Sequence, residues 1–186
     1  MIITSPGEGT FRLQSGERSI LIDPTTARLK GDITLYTKGS LASINDEPNT
    51  VALPGEYEFQ GLEVHGWQRS AEKDSVITYY LVVWDDIRIA FFGADGPLPE
   101  VSALAELEQR QPEVVLLPLK TKEDAAWSVK LVKQLEPAVC IPSAYNSLKE
   151  VSQAFGKAVA APEEKFTFKK KDLENHDQTV IVLSSK

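Results

Sequence analysis

The chain has 186 residues, of which 42% are hydrophobic and 25% charged, and these are ordinary values for a globular protein. We therefore expect a single domain spanning residues 1–186, long enough to bury a core without disulfides. The formal net charge of −7 argues against nucleic acid as a partner, because nucleic-acid-binding proteins usually present a basic face.

The cellular location is predicted from features that the sequence lacks. No apolar run approaches the ~20 residues of a membrane-spanning helix, and the first residues resemble no secretory signal. Cys140 is the only cysteine and lies in an apolar run, which predicts a buried and inert thiol. We therefore expect a cytoplasmic protein with no membrane partner.

The first half of the chain is predicted to form β-strands joined by tight turns. Alternating apolar residues are interrupted by turn formers such as Gln60-Gly61 and Asp85-Asp86, which predict hairpins. The predicted strands are residues 10–14, 19–22, 32–36, 56–59, 62–67, 76–84 and 87–92.

After Gly93 the pattern changes to alternating helices and short buried strands. The predicted helices are residues 99–109, residues 122–135 before Pro137, and a third helix capped by Asn146 or Ser147 and ended by Gly156. The predicted strands are residues 114–117, 139–141, 166–168 and 179–183. An all-β half followed by alternating elements favours two packed sheets with helices outside, although spacing alone does not choose among such architectures.

Five segments of the sequence indicate which of these architectures the chain adopts. They are residues 19–24 (Ser-Ile-Leu-Ile-Asp-Pro), 32–37, 54–64, 87–93 and 131–137, the last followed by Ile141-Pro142. In this order they resemble the metallo-β-lactamase-fold hydrolases, in particular a small cytoplasmic branch related to the ascorbate-phosphate lactonases. The resemblance implies an α/β (α+β) fold, a four-layer αβ/βα sandwich. It also implies metals bound at the strand edges between the two sheets.

The metal ligands of that family are missing at the matching positions. The family motif is Thr-His-X-His-X-Asp-His, and this chain has Thr37-Lys38-Gly39-Ser40-Leu41-Ala42-Ser43 instead. Alanines stand where the resemblance places the other ligands, namely Ala71 and Ala144 for histidines and Ala94 for the bridging aspartate. The two histidines of the chain, His65 and His176, match no ligand position.

These replacements predict that the chain binds no zinc and needs no cofactor. Zinc takes imidazole, thiolate or carboxylate donors, and alanine supplies none of them. A neutral serine hydroxyl is a poor donor, and the ammonium of Lys38 would repel a cation. Without a metal, the lowered pKa of a bound water and the polarisation of the substrate are both lost.

The residues left at the expected cleft are Asp23, Lys38, Ser40, Ser43, Asp95 and Tyr145. We assign no catalytic residue among them. One hypothesis is that the ammonium of Lys38 partly replaces the metal charge beside the carboxylates of Asp23 and Asp95. An alternative is a nucleophilic pair of Lys38 with Ser40 or Ser43, which requires a lowered lysine pKa and an oxyanion hole. As simpler explanations, the two aspartates also suit turns before Pro24 and at Gly96-Pro97.

Other conspicuous residues have structural explanations. We expect His65 to be a surface or hydrogen-bonded residue, and His176 to be solvated in a polar turn. The basic run 169–171 is interpreted as a solvated strand end rather than a phosphate-binding patch. Trp127 shares a helix face with Leu131, which predicts a core position.

The function predicted from these observations is that of a degenerate, non-catalytic hydrolase-like protein, a binding, regulatory or assembly module. The alternative is a hydrolase with an altered or metal-free site, acting on a small ester, lactone or phosphate. A third possibility is a subunit of a homo- or hetero-oligomer whose former cleft is an interface. The partner, a protein or a small molecule, is not identified by the sequence.

Overall fold

The structure is a computed structural model that describes residues 1–7, 9–40, 48–72, 75–94 and 104–185. Four helices occur in these residues: α1 (Ala105–Gln109), α2 (Lys122–Leu135), α3 (Leu148–Phe155) and α4 (Lys170–Leu173). The strands are β1 (Ile2–Gly7), β2 (Thr10–Ser15), β3 (Arg18–Ile22), β4 (Ile33–Leu35), β5 (Lys38–Ser40), β6 (Thr50–Val51), β7 (Gly55–Glu58), β8 (Glu63–Glu72), β9 (Ser75–Trp84), β10 (Ile87–Phe91), β11 (Val114–Pro118), β12 (Val139–Ser143), β13 (Phe166–Thr167) and β14 (Thr179–Val180).

The strands form two sheets. One has six strands in the order β13-β1-β2-β3-β4-β6, so a strand near the end of the chain pairs with the first. The other has eight strands, β14-β12-β11-β10-β9-β8-β7 with β5 paired to β9. Within the sheets, β3 and β4 run parallel, as do β10, β11 and β12. Parallel neighbours bring their carboxyl ends to the same edge, which is where ligands bind in open α/β sheets.

Two hydrophobic clusters hold the layers together. Tyr80, Val82 and Trp84 of β9 point into the cluster between the two sheets. Tyr79 and Leu81 of the same strand point the other way, into a cluster that α1, α2 and α3 cover. Because both faces of β9 are covered, its sequence is apolar almost throughout. The prediction of a mixed α/β fold with two packed sheets is confirmed.

The predicted turns and helix ends are present with the expected backbone geometry. Asp85 and Asp86 both have positive φ (53° and 60°), as the primed turn of a two-residue hairpin requires. Helix α2 begins with a capping box in which the Thr121 hydroxyl accepts from the Asp124 amide and the Asp124 carboxylate accepts from the Thr121 amide. Ser147 caps α3, and Gly156 ends it in the left-handed conformation.

Several sequence predictions differ from the structure. Strands β1, β5 and β6 were not predicted from the sequence, and α1 begins at Ala105 in the described residues. Residues 169–171 are exposed, as predicted, but they form the start of a helix rather than a strand end. Lys169 caps α4, and the Lys170 ammonium contacts the carboxylate of Glu113. His176 is half-buried with its ring edge-on to Phe166, at 6.0 Å between centroids, so the prediction that it is solvated is also wrong.

Two further findings concern Cys140 and membrane insertion. Cys140 is fully buried, as predicted, and burial raises the pKa of its thiol to about 12, which leaves it inert at neutral pH. In the described residues, no helix has the combined length and apolarity that crossing a bilayer demands.

Glu113 joins β10 to α4 through its half-buried carboxylate. The carboxylate accepts from the Arg88 amide at 2.9 Å and from Arg88 Nε at 3.3 Å, and it also contacts the Lys170 ammonium. Burial acts to raise the pKa of Glu113, but the hydrogen bonds from Lys170 and Arg88 outweigh it and hold that pKa below its ordinary value. The ionised carboxylate therefore stabilises the fold above the ordinary glutamate pKa, and this contribution is lost as the pH falls through the lower folded value.

We expect Glu113→Gln to lower the free energy of unfolding at pH 7 by roughly 1–3 kcal/mol, since a partly buried charged network loses its acceptor. The difference from the parent should shrink as the pH falls through the lowered pKa of folded Glu113, where the parent carboxylate becomes protonated as well. Urea denaturation across this pH range measures it, with Glu174→Gln at the exposed end of α4 as the control. If the free energies of unfolding of Glu113→Gln and the parent differed by the same amount at all pH values, the stabilising role of the ionised Glu113 carboxylate would be contradicted.

Candidate functional site

A cleft of about 550 Å³ lies where the carboxyl ends of strands from both sheets meet. Residues that directly follow β3 and β4 line one side of it, and residues that follow β10, β11 and β12 line the other. The described lining residues are Gly9, Asp23, Pro24, Thr25, Tyr36, Thr37, Lys38, Ala94, Lys120 and Ala144. This is the position at which the sequence predicted a site, and its volume is in the range of small-molecule sites.

Asp23 is held in place by Thr37. Its Oδ1 accepts from the Thr37 amide at 2.7 Å, and its Oδ2 accepts from the Thr37 hydroxyl at 2.6 Å. Its own backbone carbonyl accepts from the Thr10 hydroxyl at 2.7 Å. The positive φ of Asp23 (46°) turns the chain at the end of β3, and aspartate tolerates this conformation. Asp23 therefore ties the end of β3 to the segment that precedes β5.

The predicted ion pair between Lys38 and Asp23 is not formed. Among the ion pairs within 4.0 Å in the described part of the chain, none includes Lys38. The ammonium of Lys38 is exposed, and the residue lines the same cleft as Asp23. The oxygens of the Asp23 carboxylate accept instead from the amide and the hydroxyl of Thr37, the residue before Lys38.

Thr37, which lines the cleft, is packed against Gly93. The Thr37 carbonyl accepts from the Thr78 amide at 2.8 Å, which joins it to β9. A Cβ at Gly93 would lie only 2.1 Å from Thr37 Oγ1, so glycine is required for this approach. The carbonyl of Gly93 accepts from Arg69 Nη1 at 2.8 Å. Hydrogen bonds to the carbonyl oxygens of Thr37 and Gly93 thus anchor both residues.

The remaining predicted site residues are placed as follows. Tyr145 is absent from the described lining of the cleft, and its hydroxyl donates to the Leu183 carbonyl at 3.0 Å. Burial raises the pKa of Tyr145, so it remains a neutral donor. Ser43 and Asp95 lie outside the described residues, as does the side chain of Ser40. The proposed pair of Lys38 with Ser40 or Ser43 therefore stays a prediction.

Lys120 is the residue that sequence analysis missed. It follows the buried strand β11 and precedes α2, and its exposed side chain lines the cleft. The signal was available, because a polar residue directly after an apolar parallel strand is placed at the ligand-binding edge of a sheet. Lys38 and Lys120 give the described lining two positive charges against the single negative charge of Asp23.

The described residues of the cleft do not fit the metals of the resembled family. A zinc ion takes three or four imidazole, thiolate or carboxylate donors, whereas Asp23 is the one such donor in the described lining. Throughout the described ranges, no group of three His, Cys, Asp or Glu residues is arranged to hold a metal. Lys38, Ala94 and Ala144 occupy the positions that the resemblance assigns to ligands, and none of them is a suitable donor.

His65 lies away from the cleft, in a polar cluster on β7, β8 and the end of α1. Its ring nitrogens are 3.4 Å from a carboxylate oxygen of Glu56 and 3.3 Å from one of Glu63. Arg110 Nη1 lies 3.2 Å from His65 Nε2. The prediction that His65 is a hydrogen-bonded residue is confirmed.

A family model described as the beta-lactamase superfamily domain matches residues 2–144, and the chain belongs to this family. Among solved structures, a proposed Zn-dependent hydrolase of the metallo-beta-lactamase superfamily from Thermotoga maritima aligns with a TM-score of 0.73 and 16% identity. The alignment covers 100% of this chain and 99% of the other.

Two other solved structures align with this chain, each with a TM-score of 0.65. Each alignment covers 90% of this chain and 99% of the other chain. One is Igni18, a metallo hydrolase from Ignicoccus hospitalis, at 20% identity, and the other is an isothiocyanate hydrolase from Delia radicum gut bacteria, at 15% identity. At such low identity these similarities establish the fold alone. No curated protein matches the chain at a significant level.

Proposed function

We propose that the protein is a metal-independent and non-catalytic member of this superfamily, which binds a small molecule in the cleft at the strand ends. The observation that carries the proposal is the chemistry of the cleft. Its described lining contains one carboxylate and two ammonium groups where a hydrolase of this type needs a set of metal ligands. Function depends on the site rather than on the fold, so these residues outweigh the fold similarity.

The preserved structure around the cleft supports a binding function, rather than a former active site that has lost its order. Asp23, Thr37 and Gly93 retain a compact arrangement with short hydrogen bonds, although Asp23 is the one metal-binding donor type in the described lining. The cleft is also open and of a volume that accommodates a small molecule. A binding function requires both of these features, whereas metal-dependent hydrolysis requires donors that the described lining does not supply.

Metal content tests the proposal directly. The protein is produced without a histidine tag in medium supplemented with zinc and manganese, dialysed, and analysed by mass spectrometry of the elements. We expect far less than one equivalent of either metal. About two tightly bound equivalents, as a two-metal hydrolytic site holds, would refute the proposal.

Hydrolysis assays test the alternative, which the hydrolase names of the structural neighbours favour. The substrates are a generic ester, a lactone and a phosphate monoester, each with and without added zinc. We expect no turnover above buffer. Turnover that disappears in Lys38→Ala or Ser40→Ala would establish an altered hydrolase and reject the non-catalytic assignment.

We also propose a cytoplasmic location, which the single buried thiol of Cys140 supports because it requires no oxidising compartment. A second copy of the chain is the other candidate occupant of the cleft. Light scattering over a range of protein concentrations measures the mass in solution. A mass of one chain at every concentration would exclude a homo-oligomer.

A further inference from the structure

We propose that the ligand of the cleft is a small dianion, whose negatively charged oxygens are held between the ammonium groups of Lys38 and Lys120. This inference rests on the proposed function in that the cleft is treated as a binding site. It adds the chemical class of the ligand and the two residues that select it.

The topology brings the two lysines to the same cleft from distant parts of the chain. Lys38 begins β5 and is paired in register with Ile77 of β9, so its backbone is fixed to the eight-stranded sheet. Lys120 follows β11, whose end is held by the Leu119 amide donating to the Ser143 carbonyl at 2.9 Å. Both side chains therefore extend from well-anchored backbone into one space.

The charges of these lysines are not neutralised by the described protein residues. Neither Lys38 nor Lys120 takes part in an ion pair within 4.0 Å in the described ranges. The carboxylate of Asp23 accepts from the amide and the hydroxyl of Thr37, so its oxygens are directed to Thr37. The described lining thus has a net charge of +1 in a chain whose formal net charge is −7.

Two ammonium groups in one cleft favour a ligand that carries two negative charges. Each additional charge on the ligand adds a favourable interaction with both lysines, and two positive groups repel each other less when an anion lies between them. Lysine acts as a point charge toward oxyanions, so it suits a phosphoryl group or a pair of carboxylates rather than one planar carboxylate, which arginine binds better. The described lining contains no arginine.

The space around Lys120 allows a ligand larger than the anionic group itself. Lys120 also borders a second cleft of about 510 Å³, lined in part by the apolar side chains of Leu119, Ala125 and Ala154. Lys122 lines this second cleft and is absent from the described lining of the first. It therefore serves as a variant that separates the two clefts.

The experiment is calorimetric titration of the full chain with inorganic phosphate, malonate and acetate at constant ionic strength. We expect saturable binding of one or both dianions with a stoichiometry of one, and no measurable binding of acetate. Lys38→Gln and Lys120→Gln should each weaken dianion binding by about tenfold or more, as loss of a charged hydrogen-bond donor does. Lys133→Gln in the last turn of α2 is the charge-matched control and should have little effect.

The outcomes separate the anion site from the proposed function. Absence of binding, equal binding of acetate, or a loss of affinity in Lys122→Gln but not in Lys38→Gln would each overturn the dianion site. Binding of phosphate alone identifies phosphoryl chemistry, and binding of malonate alone identifies a dicarboxylate; both support the site. The metal and hydrolysis measurements test the non-catalytic assignment independently of the anion titration, because either proposal can fail while the other holds.

Discussion

Gly93→Ala is expected to lower the free energy of unfolding by about 3 kcal/mol, as severe overpacking of a buried site does. The added Cβ would lie 2.1 Å from Oγ1 and 2.8 Å from Cβ of Thr37. Thr37 has little freedom to move away, since its amide and hydroxyl donate to Asp23 and its carbonyl accepts from the Thr78 amide. Denaturation with urea, followed by circular dichroism, measures the loss.

The control for Gly93→Ala is Gly7→Ala, where the added Cβ would lie 3.6 Å from its nearest neighbour and so makes an ordinary contact. Both substitutions restrict the unfolded chain in the same way, so their difference reports the native-state clash. Adding Thr37→Ala removes Oγ1 and should make the penalty of Gly93→Ala smaller than in the parent. Equal effects of Gly93→Ala and Gly7→Ala would contradict the close approach.

Gly39→Ala is expected to cost at least as much as Gly93→Ala, because the obstacle is backbone. The added Cβ would lie 2.0 Å from the carbonyl oxygen of Ala52, and Gly39 is buried within β5. Relieving this clash requires β5 to move. That movement would disturb its pairing with β9, in which Lys38 is opposite Ile77 and Gly39 is opposite Val76. We expect a loss of about 3 kcal/mol or more in the free energy of unfolding, and a displaced Lys38 with weaker dianion binding.

The two glycine substitutions are distinguished by rescue. Ala52→Gly removes a methyl group 3.2 Å from the added Cβ but leaves the carbonyl oxygen, so it should restore little stability to Gly39→Ala. Thr37→Ala, in contrast, removes the atom nearest to the added Cβ in Gly93→Ala. Full recovery of Gly39→Ala by Ala52→Gly would show that side-chain rather than backbone contact limits this site. Unfolding curves and a dianion titration of each soluble variant provide the measurements.

Local sequence signals predicted most of the secondary structure because the deciding interactions are close in sequence. The cap of α2 involves Thr121 and Asp124, three residues apart, and its predicted bounds of 122–135 match those observed. The turn at Asp85 and Asp86 needs only two residues that tolerate positive φ. β5 was missed because its three residues are held by pairing with β9, almost forty positions away, and not by their own propensities.

The chemistry of the site was predicted in part. The resemblance to the superfamily showed which positions should carry metal ligands, and residue identity alone shows that Lys38, Ala94 and Ala144 are not suitable donors. For Asp23 the sequence left a turn role and an ion pair with Lys38 open; the ion pair is not formed, and the carboxylate accepts from Thr37 instead. Hydrogen-bond geometry at the start of a strand, rather than charge, decided that contact.

The sequence by itself determined the composition of the site, because the presence or absence of a donor atom is a property of a residue and needs no coordinates. Only the tertiary structure decided that Lys38 and Lys120, which are far apart in the chain, line one cleft with a net positive charge. It also decided that Gly93 must be glycine, because Thr37, which is distant from it in the chain, approaches it closely. Both features depend on long-range pairing and packing of strands. The apolar run before Lys120 places that residue at a strand end, but no local pattern shows which other strand ends lie beside it.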